Sequence, residues 1–237
     1  MTGTRPRTDT SGLDPRLGSH LRAYLGAWPP RRPVDIVEWP GRLEPAWDGA
    51  SVPAVAVASP TGTLVSVPPG AARPAEALAE ASDVGSFRRI LAGAVHEPGR
   101  ASPWVTLRWS TEPADLPDVG VWLDAADPSL PDWLHAFPGR VLAAFGDGDG
   151  DGRYLAGAGI KRHTEWGGEI AVGTAENARG RGLARRIVAQ AARAILAEGA
   201  VPLYVHDPAN APSARVADAA GFPDLGWRLM VVWGATP

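Results

Sequence analysis

The sequence predicts an α+β protein in two blocks, residues 19–101 and 102–237, behind a disordered tail at residues 1–18. Three observations carry that reading. Short β-rich apolar runs occur in both blocks, helical patterning lies among them, and "HEPGRASP" supplies a Pro/Gly linker near the border.

The elements follow in chain order. Residues 1–18 are polar and aperiodic, so no element is expected there. "VDIVEW", "PAVAVAS" and "TLVSV" read as strands, the last two joined by a Pro-Thr-Gly hairpin signal. "RPAEALAEASDVGSFRRILAGAV" is patterned as helix, which makes the first block an α/β lobe. The second block opens on the strand-like "WVTLRWS". "DLPDVGVWLDAADPSLPDWLHAF" is expected to be helical in pieces, and "RVLAAFG", "YLAGAGIKR" and "GEIAVGT" are three further apolar runs. The stretch "GDGDGDG" spaces Asp147, Asp149 and Asp151 like a calcium loop, but loop position twelve falls on Ala158 where glutamate is required, so a hairpin connection is expected.

Composition narrows the chemistry. There is no cysteine, so disulfides and thiolate metal sites are excluded, and no metal site is expected. No signal peptide or membrane span is legible, which points to a soluble, cytoplasmic protein. A net charge of −3 gives no general attraction to nucleic acid. Of 23 basic residues only Lys161 is lysine, a bias that makes any single arginine less informative.

One stretch breaks its local preference. "TAENARGRGLARRIV" sets Arg179, Gly180, Arg181, Gly182, Arg185 and Arg186 where a helix should begin, although cations sit badly at the positive end of the dipole. The helix itself is amphipathic, with Leu183, Ile187, Ala191, Ala194 and Ile195 at helical spacing and Gly199 as its stop. A bound anion resolves the conflict: uncapped amides, the dipole and the arginines together make a phosphate site. The Gly-Lys-Ser/Thr of a nucleotide P-loop is missing. A dinucleotide fingerprint fits Gly180, Gly182 and Asp207 but meets Arg185 at its third small position, so an NAD(P)-dependent oxidoreductase is an alternative.

Arg179-Gly180-Arg181-Gly182-Leu183-Ala184 resembles the Arg/Gln-x-x-Gly-x-Gly/Ala loop of the GCN5-related N-acetyltransferase (GNAT) superfamily. The surrounding order of runs is similar too, and "NAPSARVADAAGF" resembles the family's later motif, with Asn210, Ser213, Gly221 and Phe222 in register. "GWRLMVVW" would be the closing strand. The resemblance covers about residues 102–237 and implies a mixed, mainly antiparallel central sheet flanked by helices; residues 19–100 resemble the extra lobe of a two-lobed branch.

The same resemblance implies acetyl-CoA, with its pyrophosphate on the amides of Gly180, Arg181, Gly182, Leu183 and Ala184 and its arm along Val172, Gly173 and Thr174. Arg179 belongs to this cofactor set, and Asn210 and Ser213 would fix the arm near the thioester. The implied reaction is direct acetyl transfer to a primary amine of a small molecule or peptide. Many members carry a tyrosine acid four residues before the Gly-Phe pair, where this chain has Ala217. Glu169 is then the first candidate for the base, with Tyr204 and His206, which share a strand face, as further candidates. A non-catalytic acyl-CoA binding module is the other alternative, favoured by Ala217.

Overall fold

The computed structural model describes residues 13–81, 83–146 and 152–235. Its elements are α1 (Pro15–Leu25), β1 (Val34–Glu38), β2 (Ala54–Ser59), β3 (Gly62–Val67), α2 (Ala72–Ala75), α3 (Val84–Ala94), β4 (Val105–Trp109), β5 (Val121–Asp124), α4 (Asp132–His135), β6 (Arg140–Phe145), β7 (Tyr154–Thr164), β8 (Gly167–Thr174), α5 (Leu183–Ala197), β9 (Val201–His206), α6 (Ala211–Ala219) and β10 (Arg228–Val232). Among the described residues the ten strands form one sheet, ordered β1-β3-β2-β10-β4-β9-β8-β7-β6-β5. Only β1/β3 and β8/β9 pair in parallel, so the sheet is mixed and mainly antiparallel.

Strand alternation decides what each face buries. On one face, Ile187, Val188, Ala191 and Ile195 of α5 pack with Leu142, Ile170, Tyr204 and Phe222. On the same face, Phe87 and Leu91 of α3 meet Ala56, Val65 and Met230 farther along the sheet. The other face is covered by α1, whose Leu17, Leu21 and Leu25 pack on Val55, Leu107, Val201, Leu203 and Leu229. Beside it, Leu134 and Phe137 at α4 pack on Val141 and Ala143. α1 is well specified: Asp14 accepts the amide of Arg16 at 2.9 Å and Gly26, at φ 86°, ends the helix in the left-handed region.

Three expectations change. Helix α1 begins at Pro15, inside the segment read as a tail, because its Leu17-Leu21-Leu25 stripe is too short to stand out as periodic; residues 1–12 lie outside the described residues. The segment expected to be helical in pieces contains the strand β5 and only the short α4, since Val121 to Asp124 extend the sheet beside β6. The two blocks share one sheet: β10, from the end of the chain, pairs with β2 on one side and β4 on the other. Residues 147–151 of the acidic glycine stretch lie outside the described residues, between the antiparallel β6 and β7.

Candidate active site

The sheet opens at one place. β8 and β9 pair over Gly167↔Val201, Gly168↔Pro202 and Glu169↔Leu203, after which β8 runs on to Thr174 bonded only to β7. The free edge of Val172, Gly173 and Thr174, with Tyr204 of β9, lines a cleft of about 840 Å³. Gly180 and Gly182, at φ 76° and 75°, turn the chain into α5. A side chain at those angles is strained, and at Gly182 a Cβ would also stand 3.0 Å from the Arg185 guanidinium. No side chain caps α5, so its first-turn amides face the cleft with Arg179, Arg181, Arg185 and Arg215 around them. Exposed donors, a positive dipole end and these four arginines fit a polyphosphate.

Across the cleft stands α6. Asn210 is its N-cap: Oδ1 accepts the Ser213 amide at 3.0 Å, leaving Nδ2 to donate elsewhere. The hydroxyls of Ser213 and Tyr204 are bonded at 2.9 Å. Burial raises the Tyr204 pKa more than Ser213 and Arg108 lower it, so the phenol stays protonated at neutral pH. Ala217 is fully buried below, with its carbonyl on the Phe222 amide.

His206 is otherwise engaged. Nε2 accepts from Arg108 Nε at 3.0 Å, so Nδ1 carries the hydrogen and donates to the Asp207 carbonyl at 2.9 Å. Arg108 continues the network to Asp218 and to the Phe222 carbonyl. With both ring nitrogens used, His206 ties β4, β9 and α6 together and has no lone pair to offer the cleft.

Glu169 points to the opposite face. Its Oε1 accepts from Lys161 Nζ at 2.7 Å and its Oε2 from His163 Nε2 at 3.2 Å. Burial pushes the carboxyl up, but the His163 hydrogen bond and the Lys161 charge outweigh it and hold the pKa at about 2. A carboxylate is acceptor-only, so Nε2 of His163 is the donor; in the tautomer with its hydrogen there, Nδ1 is the ring atom with a lone pair. Tyr24 of α1 lies against the His163 ring at 4.9 Å, and His20 bonds Thr164 at 2.8 Å. Gly167 lets α1 come this close, since a Cβ there would lie 2.3 Å from the His20 ring. Lys161, His163, Glu169, Tyr24 and His20 line a cavity of about 230 Å³ under α1. The gap between β8 and β9 therefore lies between a cationic cleft on one face and a largely apolar cavity on the other.

The model of the Acetyltransferase (GNAT) family matches residues 103–222, half of the chain. The chain belongs to the GNAT acetyltransferase family. Solved structures similar to it include an acetyltransferase of the GNAT family from Colwellia psychrerythraea, at 14% identity over 60% of each chain and a TM-score of 0.42. A GCN5-related N-acetyltransferase-like protein from Streptococcus suis has 18% identity over 62% of this chain and 69% of that one, at 0.42. A GCN5-related N-acetyltransferase from Kribbella flavida has 17% identity over 62% and 64%, at 0.39. The chain spans 60% of the length of the first of these. No curated protein matches.

Membership in the GNAT family removes the dinucleotide reading: the strand before the glycines sits beside an antiparallel partner and ends at Thr174, well short of Gly180. In this GNAT domain Val172 to Thr174, Arg179 to Ala184, Asn210, Ser213 and Tyr204 come together on one cleft. Glu169 lies on the other face, and His206 in a structural network. Neither Lys161 nor His163 was read from the sequence as a site residue. One signal was present: the only lysine stands two residues before a histidine, in the strand that a short turn pairs with "GEIAVGT". Among the described residues no helix is long and apolar enough to cross a membrane, and no cluster could hold a metal ion.

Proposed function

We propose that this chain transfers an acetyl group from acetyl-CoA directly to a primary amine. The observation that carries the reading is the break in β8/β9 pairing after Glu169↔Leu203, which lies between the arginine-lined cleft and the cavity. Acetyl-CoA, when bound, supplies the activated acyl group and leaves as the thiol. The amides of Gly180 to Ala184 with Arg179, Arg181 and Arg185 hold its diphosphate, and the free edge of Val172 to Thr174 offers backbone groups to its arm as an added strand would.

Proton handling divides between the faces. Tyr204, held by Ser213, gives its hydroxyl proton on the cleft side and takes the role that Ala217 cannot fill. On the cavity side Glu169 is too weak a base at a pKa of about 2 to serve alone. It fixes the His163 ring, and His163 Nδ1, directly or through one water, takes the amine proton. The 237 residues contain no cysteine to carry an acetyl group, which favours one-step transfer. Thiol release from acetyl-CoA by the purified chain, measured with and without amines, tests the reading. Amine-dependent release is expected; tight acetyl-CoA binding with no release over a broad amine panel would instead make the chain an acyl-CoA binding module.

A further inference from the structure

The cavity under α1 has apolar walls and a polar end. Leu21, Val57, Leu107, Val205, Leu229 and Val231, from α1 and four strands, make the walls. Lys161, His163 and Glu169 form the polar end. Asp48 is exposed on the lining, together with the rings of Trp47 and the 45%-exposed Trp233. No arginine lines this cavity among the described residues, and Lys161 is already paired with Glu169. A carboxylate or phosphate on the acceptor would therefore meet no unpaired arginine or lysine, while a lone ammonium would meet Asp48.

We propose that this cavity binds the acetyl acceptor and that the acceptor is a compact amine with an apolar body, an arylalkyl or branched alkyl amine, its nitrogen directed to His163 at the polar end. The inference rests on the acetyltransferase reading above. Valine and leucine walls reward hydrocarbon removed from water, and aromatic rings at the lining suit both a cation and a flat body. A polyamine or an aminoglycoside would lay further polar groups along those walls, where the remaining polar lining is His20, Tyr24, Asp48 and Ser102. A lysine in a peptide would have to leave its flanking backbone amides in the same position.

The test is calorimetric titration of 2-phenylethylamine into the full chain in the presence of coenzyme A, beside spermidine and a lysine-containing tripeptide. Phenylethylamine is expected to bind at least tenfold more tightly than either. Val231→Phe, which fills the cavity from β10 and is remote from the phosphate cleft, should weaken that binding tenfold or more and leave coenzyme A affinity unchanged. If Val231→Phe does not fold, Val105→Phe fills the same space from β4. Tighter binding of spermidine or the peptide, or wild-type amine affinity in a folded cavity-filling variant, would overturn the inference. Coenzyme A binding with no phenylethylamine binding would overturn it alone and leave acetyl transfer standing. A chain that binds no coenzyme A would overturn the acetyl-transfer reading, and this inference with it.

Discussion

Glu169→Gln removes the carboxylate to which Lys161 and His163 both donate, and its cost follows from the carboxyl's pKa. An acid held below its ordinary value stabilises the fold above its unfolded pKa and loses that contribution as pH falls through the folded one. Here the fall from 4.5 to about 2 corresponds to ~3 kcal/mol at 1.36 kcal/mol per pH unit. The side chain is 13% exposed, so solvent screens little of this. Urea unfolding should thus show the glutamine variant less stable by up to ~3 kcal/mol at pH 7 and by only ~1 kcal/mol at pH 3, where the carboxyl of the unfolded chain is already protonated. Equal gaps at the two pH values, or none at pH 7, would refute the claim that an ionised Glu169 is held by its two neighbours.

Other outcomes follow from the same geometry. Gly182→Asp should abolish acetyl-CoA binding, because it adds a strained side chain and a negative charge to the phosphate cradle, while Arg179→Ala should weaken it roughly tenfold, both by calorimetry. Tyr204→Phe should lower turnover by roughly 10²- to 10⁴-fold with acetyl-CoA affinity nearly unchanged, and His163→Gln by a similar factor in the same steady-state assay. Gly159→Ala should cost ~1–3 kcal/mol in thermal or urea unfolding, since a Cβ there lies 2.3 Å from the Phe137 ring. A fragment of residues 102–237 should fail to fold, as it strips β10 of β2 and removes α1 from Val201 and Leu203; a soluble, cooperatively unfolding fragment would contradict the single shared sheet.

What was legible in the sequence follows from range. The hairpins and α5 announce themselves locally, through alternation in "AVAVAS" and "EIAVGT" and through a helical stripe ending at Gly199. The phosphate loop was legible for a different reason: arginines and glycines at a helix start contradict local preference, and only a ligand removes the contradiction. The border between blocks did not reveal the shared sheet, because sheet order is set by contacts far apart in sequence. Nothing near Arg228–Val232 reveals that it joins β2 to β4. Glu169 was found as a residue but not in its setting. Its placement with Lys161 required the β7/β8 register, and its separation from Tyr204 required knowing that odd positions of β8 and β9 share the α1 face.

Direct transfer is tested most squarely by a single turnover with acetyl-CoA labelled in the acetyl group and 2-phenylethylamine as acceptor, followed by mass spectrometry of both amine and protein. The label should appear on the amine nitrogen at the rate of thiol release, with the protein mass unchanged throughout. Label held covalently on the chain before it reaches the amine, or acetyl-CoA bound and never consumed, would contradict the account.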